Sequence, residues 1–195
     1  MSHDDRGGRG VARTLLPVTA SLVVLLALDA PAFPASSGVS APWSAAVVTV
    51  ASRADSLEIT VPASANLGSG ARGATISASL GTVTVTDIRT GVGPTWTATV
   101  SATDFTTAGG SGTITKANVA YWSGPVTAES GAGTRTPGQV TAAQQVALTA
   151  PVTAFSGRKA VGIDQSTSWQ PTLVITIPSS AVAGTYTGTI SHSVA

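Results

Sequence analysis

The stretch from Leu80 to Phe105, LGTVTVTDIRTGVGPTWTATVSATDF, constrains the fold more than any other part of the chain. Val83 and Val85 alternate with Thr82, Thr84 and Thr86. After a Gly/Pro turn, Trp96, Ala98 and Val100 alternate with Thr95, Thr97 and Thr99. Successive side chains on a strand point to opposite faces, so this strict period of two predicts two strands of a sheet with one buried and one hydroxyl-rich face.

Comparable signals recur at short intervals with turn residues between them, the pattern of an all-β sandwich or barrel. Strands are predicted near Ala46 to Val50, Leu57 to Val61, Ala74 to Ser79, Thr82 to Asp87, Thr95 to Ala102, Thr113 to Thr115, Val119 to Trp122, Val140 to Leu148, Gly157 to Gly162, Pro171 to Ile177 and Gly184 to Val194. The expected architecture is all-β, a two-sheet antiparallel β-sandwich. Glu129 to Gln139, ESGAGTRTPGQ, reads as a long loop. Gly109-Gly110-Ser111-Gly112 is a turn and not a phosphate cradle, because the lysine and following hydroxyl of a P-loop are missing.

The beginning of the chain has a different character. Arg6, Arg9 and Arg13 precede an apolar run from Leu15 to Leu28, and Ala30-Pro31-Ala32 offers a small-x-small cleavage site. Together these describe a helical signal peptide over 1–32, its apolar core shorter than the roughly 18 residues of a membrane span. A Pro/Ser/Gly-rich linker over 33–45 follows, and the β-sandwich domain occupies 46–195. The chain has no cysteine, so neither a disulfide nor a thiolate metal site exists, and the core alone must hold the exported domain together. Charged residues make up 10% of the chain and the net charge is +1, which leaves no electrostatic footprint for nucleic acid or, after signal removal, for a membrane surface. Neutral polymers, glycans or other proteins are the expected partners.

Catalytic constellations are lacking in the sequence. His192 is the one histidine beyond the signal peptide, and near a chain end it is expected as a polar rim residue. There is no GxSxG, and Asp104, Glu129 and Asp164 are scattered acids without a pairing that spacing would fix. Neither a catalytic role, a metal nor a cofactor is expected. Asp87 and Arg89 lie two apart and are expected to form an exposed or half-buried ion pair that closes the turn before Trp96. In a binding role Arg89 would clamp a carboxylate, such as one on a wall peptide. Trp43, Trp96, Trp122 and Trp169 are each expected between sheets, with Trp96 and Trp169 the choices for a groove in which indoles stack on sugar rings.

VTVTD, then Ile88-Arg89-Thr90-Gly91 and a short Gly/Pro connection to Trp96, taken with the final Val182-Ala-Gly-Thr-Tyr186-Thr-Gly-Thr-Ile190, resembles the WxL cell-wall-binding domain of Gram-positive surface proteins. The likeness runs from about Leu57 to the C-terminus. It implies a mostly β domain that attaches noncovalently to peptidoglycan, often in complexes with other surface proteins. Both of the Trp-x-Leu triplets that name the family are altered here, to Trp96-Thr97-Ala98 and to His192-Ser193-Val194. A leucine-to-alanine change in a packed strand costs about 2–5 kcal/mol unless a neighbour fills the space, which points to Trp122 or Trp169 as the filler. The expectation is a secreted, cell-surface module that is not an enzyme and binds peptidoglycan or another wall polymer through Trp96, Trp169, Arg89, Asp87 and His192. Its alternatives are a structural partner that joins another surface protein by adding a strand, and a wall-acting hydrolase.

Overall fold

The computed structural model describes residues 18–28 and 56–195. Strands β1 to β4 are Val18–Leu28, Leu57–Thr60, Ser64–Gly70 and Thr75–Ser79; β5 to β8 are Val83–Asp87, Thr95–Ala102, Phe105–Thr107 and Thr113–Ile114. Strands β9 to β12 are Val119–Trp122, Val126–Ser130, Gly133–Pro137 and Val146–Ala147; β13 to β16 are Val152–Lys159, Gln165–Trp169, Thr172–Thr176 and Thr185–Val194. The helical elements among the described residues are two single 3-10 turns, Lys116–Asn118 and Ala142–Gln144.

The all-β expectation holds. One large sheet has the order β11-β13-β6-β16-β1-β3, with β7 paired to β16 and β8 to β7. The other strands among the described residues form two four-stranded sheets, β10-β14-β5-β2 and β12-β9-β15-β4. Every ladder is antiparallel except β1 with β3. The apolar stretch Val18–Leu28, expected as the helical core of a signal peptide, runs as an extended strand between β16 and β3. The predicted strand at Ala46 to Val50 and the linker over 33–45 lie outside the described residues.

Alternation set the buried face as the sequence required. In β5 the pattern is buried at Val83, Val85 and Asp87, and in β6 at Trp96, Ala98 and Val100. The core draws on all three sheets: Phe155 of β13 lies between two rings, 6.4 Å from Trp96 and 4.7 Å from Trp169 of β14, and Tyr121 of β9 lies 5.9 Å from His192 of β16. Trp96, Trp169, Tyr121, Tyr186, Phe105 and Phe155 are all enclosed, so nearly the whole aromatic content of the described residues goes into one core. Phe155 stands opposite Ala98 in the β13–β6 ladder and stacks on Trp169, so the space beside that alanine is taken up from the neighbouring strand by a phenylalanine.

Three expectations are corrected by local chemistry. Glu129 to Gln139 is no long loop. It holds the last two residues of β10, which joins β14, and all of β11, which joins β13, with a turn at 131–132 that carries the chain from one sheet to another. Arg135 fastens that crossing: its Nη2 donates to the Ser130 and Gly131 carbonyls and its Nε to Thr167 Oγ1. Val140 to Leu148 is not one strand, because Thr141 and Gln144 form a capping box that starts a 3-10 turn before the two-residue β12. The strand predicted at Gly157 to Gly162 begins earlier, at Val152, because Ala154 and Phe155 are core residues, and it gives way to a turn after Lys159.

Candidate functional site

The five residues expected to meet a wall polymer are gathered in the interior. Trp96 is 2% exposed, Arg89 9%, and Asp87, Trp169 and His192 are 0% exposed. Neither Trp96 nor Trp169 presents a ring face to solvent, and His192 sits in the core instead of on a rim. The Asp87–Arg89 pair is buried, not exposed.

Three of the five residues, Asp87, Arg89 and Trp96, build up one end of the sandwich. β5 ends at Asp87, whose ladder partner is Gln165 of β14. Asp87 Oδ1 accepts from the Arg89 backbone N–H at 3.0 Å and from Arg89 Nε at 2.9 Å, while Oδ2 accepts from Nη2 at 2.8 Å. This bidentate fork is the strongest geometry available to the pair, and burial protects it from screening. Arg89 Nη2 also donates to the Thr95 carbonyl at 2.8 Å, so the guanidinium ties the two ends of the 88–94 turn together. Lys159, also buried, donates from Nζ to the Arg89 carbonyl and lies 3.7 Å from Asp164 Oδ1. Gln165 Oε1 accepts from Trp96 Nε1 at 2.9 Å, and Gln165 Nε2 donates to the Arg158 carbonyl at 3.3 Å.

This buried lattice supports a surface. Above it, the 88–94 turn, the start of β11 and the end of β13 enclose a cleft of about 240 Å³ lined by Gly93, Gly133, Thr134, Arg158, Lys159, Ala160 and Val161. Its volume falls below the roughly 300 Å³ at which small-molecule pockets begin, and it suits one sugar or side chain at a surface. Arg158 is exposed, and its Nε donates to the Gly93 carbonyl at 3.2 Å. Gly93 has φ +58°, and a Cβ there would stand 2.9 Å from Arg158 Nε, so both the turn and the seat of the guanidinium depend on glycine. Val92 at 89% exposure, Val161 at 61% and Ile163 at 46% belong to the two turns at this end, and they are three of the five large apolar side chains that the described residues expose. Arg158, Val92, Val161 and Ile163 were missed as functional candidates. The available signals were a valine between two glycines in GVGP and the GRKAVGID run, where apolar residues interrupt a turn.

His192, on β16, belongs to another part of the core. Trp169 Nε1 donates to Tyr121 Oη at 3.4 Å, and Tyr121 Oη lies 3.4 Å from His192 Nε2. His192 Nδ1 is buried without a hydrogen-bond partner. Burial pushes the His192 pKa down to about 4, and desolvation raises that of Tyr121, only partly offset by the indole N–H. Both side chains are therefore neutral at pH 7. No group of three or more His, Asp or Glu side chains among the described residues comes together to hold a metal ion. Comparison of the chain with protein-family models, with curated proteins and with solved structures gives no match.

Proposed function

We propose that the chain is an exported cell-surface module that binds noncovalently to the bacterial cell wall, with peptidoglycan the intended polymer. The observation that carries this reading is the cleft at the Asp87–Arg89 end, lined by Arg158 and exposed Val161, with exposed Val92 and Ile163 on the two turns that adjoin it in the chain. Apolar side chains suit the faces of sugar rings, and a guanidinium suits the carboxylates of wall peptides. The resemblance of Leu80 to Trp96 and of Val182 to Ile190 to the WxL domain supports the same assignment. In this arrangement Asp87, Arg89 and Trp96 are positioning residues that hold the contacting loops, and the contact itself belongs to the side chains above them.

Cosedimentation of the exported protein with protein-stripped Gram-positive sacculi tests the reading. A Val92→Ser, Val161→Ser, Arg158→Ala variant is expected to bind at least ~10-fold more weakly, a loss of about 1.4 kcal/mol, with unchanged thermal stability. Equal pelleting of the variant would remove the cleft from the contact, and absence of pelleting by the parent protein would remove wall binding.

A second reading, attachment to another surface protein by strand addition, is favoured by β4. It lies at the edge of its sheet with no buried residue, and among the described strands its ladder partner is β15 alone. Retention of the protein by a partner surface protein, with no affinity for sacculi, would select it.

A further inference from the structure

Arg158 stands opposite Thr134 in the β11–β13 ladder and opposite Thr95 in the β13–β6 ladder. All three side chains are exposed, while Lys159 and Trp96 beside them are buried. Hydroxyl, guanidinium and hydroxyl therefore form one row across the outer face of three strands. Side chains directly opposite each other on one face lie about 5 Å apart at Cβ, close enough for Arg158 and Thr134 to grip one small group together.

The guanidinium is held in place without being satisfied. Its Nε donates to the Gly93 carbonyl at 3.2 Å, which seats the fork against the 88–94 turn. Among the described residues Nη1 and Nη2 make no hydrogen bond, and the ion pairs of Arg89, Arg135 and Lys159 leave Arg158 out. No carboxylate among the described residues lines the cleft, and the Lys159 ammonium is committed to the Arg89 carbonyl and Asp164. No aromatic ring among them lines it either, so the cleft lacks a platform on which a ring could stack.

We infer that the group recognised in this cleft is a free carboxylate, and that within the wall the ligand is a stem peptide whose carboxylates are not amidated. A carboxylate presents two coplanar oxygens to the outer nitrogens of a guanidinium, and one of them can also accept from the Thr134 hydroxyl. Its single negative charge matches the one positive charge that the cleft leaves uncompensated. A volume of about 240 Å³ admits the residue that carries the carboxylate, with Val161 as the apolar contact for its side chain. The inference rests on the wall-binding reading and narrows it from the polymer to the charge state of its peptide.

Cosedimentation of the exported chain with three preparations of protein-stripped Gram-positive sacculi is the test: untreated, extracted with hydrofluoric acid to remove phosphate polymers, and amidated with carbodiimide and ammonia. The expected result is equal affinity for the first two and at least ~10-fold weaker binding to the third. Arg158→Lys, which keeps the charge and loses the fork, should bind untreated sacculi more weakly, and Thr134→Val should lose about 3-fold, both with unchanged thermal stability. Arg158→Gln should no longer distinguish untreated from amidated sacculi. Equal binding of the parent to untreated and amidated sacculi, or discrimination retained in Arg158→Gln, would overturn the inference and leave wall binding standing. Loss of binding after phosphate removal would overturn it in favour of a phosphodiester ligand. Absence of binding to every preparation would remove wall binding, and the carboxylate assignment with it.

Discussion

The two ends of the aromatic core solve the same problem differently. At the Trp96 end, five polar or charged side chains are buried together, and each has a partner: Trp96 with Gln165, Gln165 with the Arg158 carbonyl, Arg89 with Asp87 and Thr95, and Lys159 with the Arg89 carbonyl. At the His192 end, three aromatic groups meet through contacts of 3.4 Å, and Nδ1 has no partner. The closed network permits charge in the interior because every ion is matched, whereas the open one stays neutral and relies on packing. A buried polar group is thus a brace in one place and a weak point in the other.

The largest expected effect comes from opening the closed end. Asp87→Ala leaves the Arg89 guanidinium buried without its carboxylate, and is expected to cost about 3–5 kcal/mol in urea denaturation. A loss below about 1 kcal/mol would mean that the two ends do not differ as described. Next comes acid. His192 titrates near pH 4 when folded and near pH 6.5 when unfolded, so between these values the unfolded chain binds more protons and stability falls as pH falls. The group costs nothing above about pH 6.5, and its penalty approaches roughly 3 kcal/mol below pH 4. The smallest change is His192→Leu, expected to lie within about 1 kcal/mol of the parent at pH 7, since the side chain it removes carries an unpartnered nitrogen. The difference between parent and His192→Leu stabilities, followed from pH 7 to pH 4, should contain the acid slope. Parallel curves would place that slope elsewhere.

How much was legible in advance depended on which force decided each element. β5, β6 and β9 could be read almost to the residue because period-two alternation and burial agree there. β3, SANLGSG, carried no such signal: of its seven residues only Leu67 is buried, and its place in the sheet is set by β1. β11 was hidden because Gly133, Thr134 and Pro137 read as a turn, and it is ordered by Arg135 reaching backbone carbonyls across the crossing. Asp87 and Arg89 were recognised as a pair from their spacing, but burial is a property of what packs over them. Nothing local in the sequence announces that Lys159 and Gln165 close the same network from distant strands. Trp96 and Trp169 were the natural choices for ligand contact on chemistry alone, and the core claimed both, because aromatic side chains are scarce in this chain and each buries a large area.

Gly157 stands opposite Trp96 in the β13–β6 ladder, and a Cβ at that position would lie 2.5 Å from two carbons of the indole. The two positions therefore cannot drift separately. A descendant of this chain that acquires alanine or a larger residue at 157 must first shrink the side chain at 96, and one that keeps the tryptophan is held to glycine across the ladder. Among related sequences, position 157 would then be a marker of inheritance, changing only in lineages that had already given up the indole.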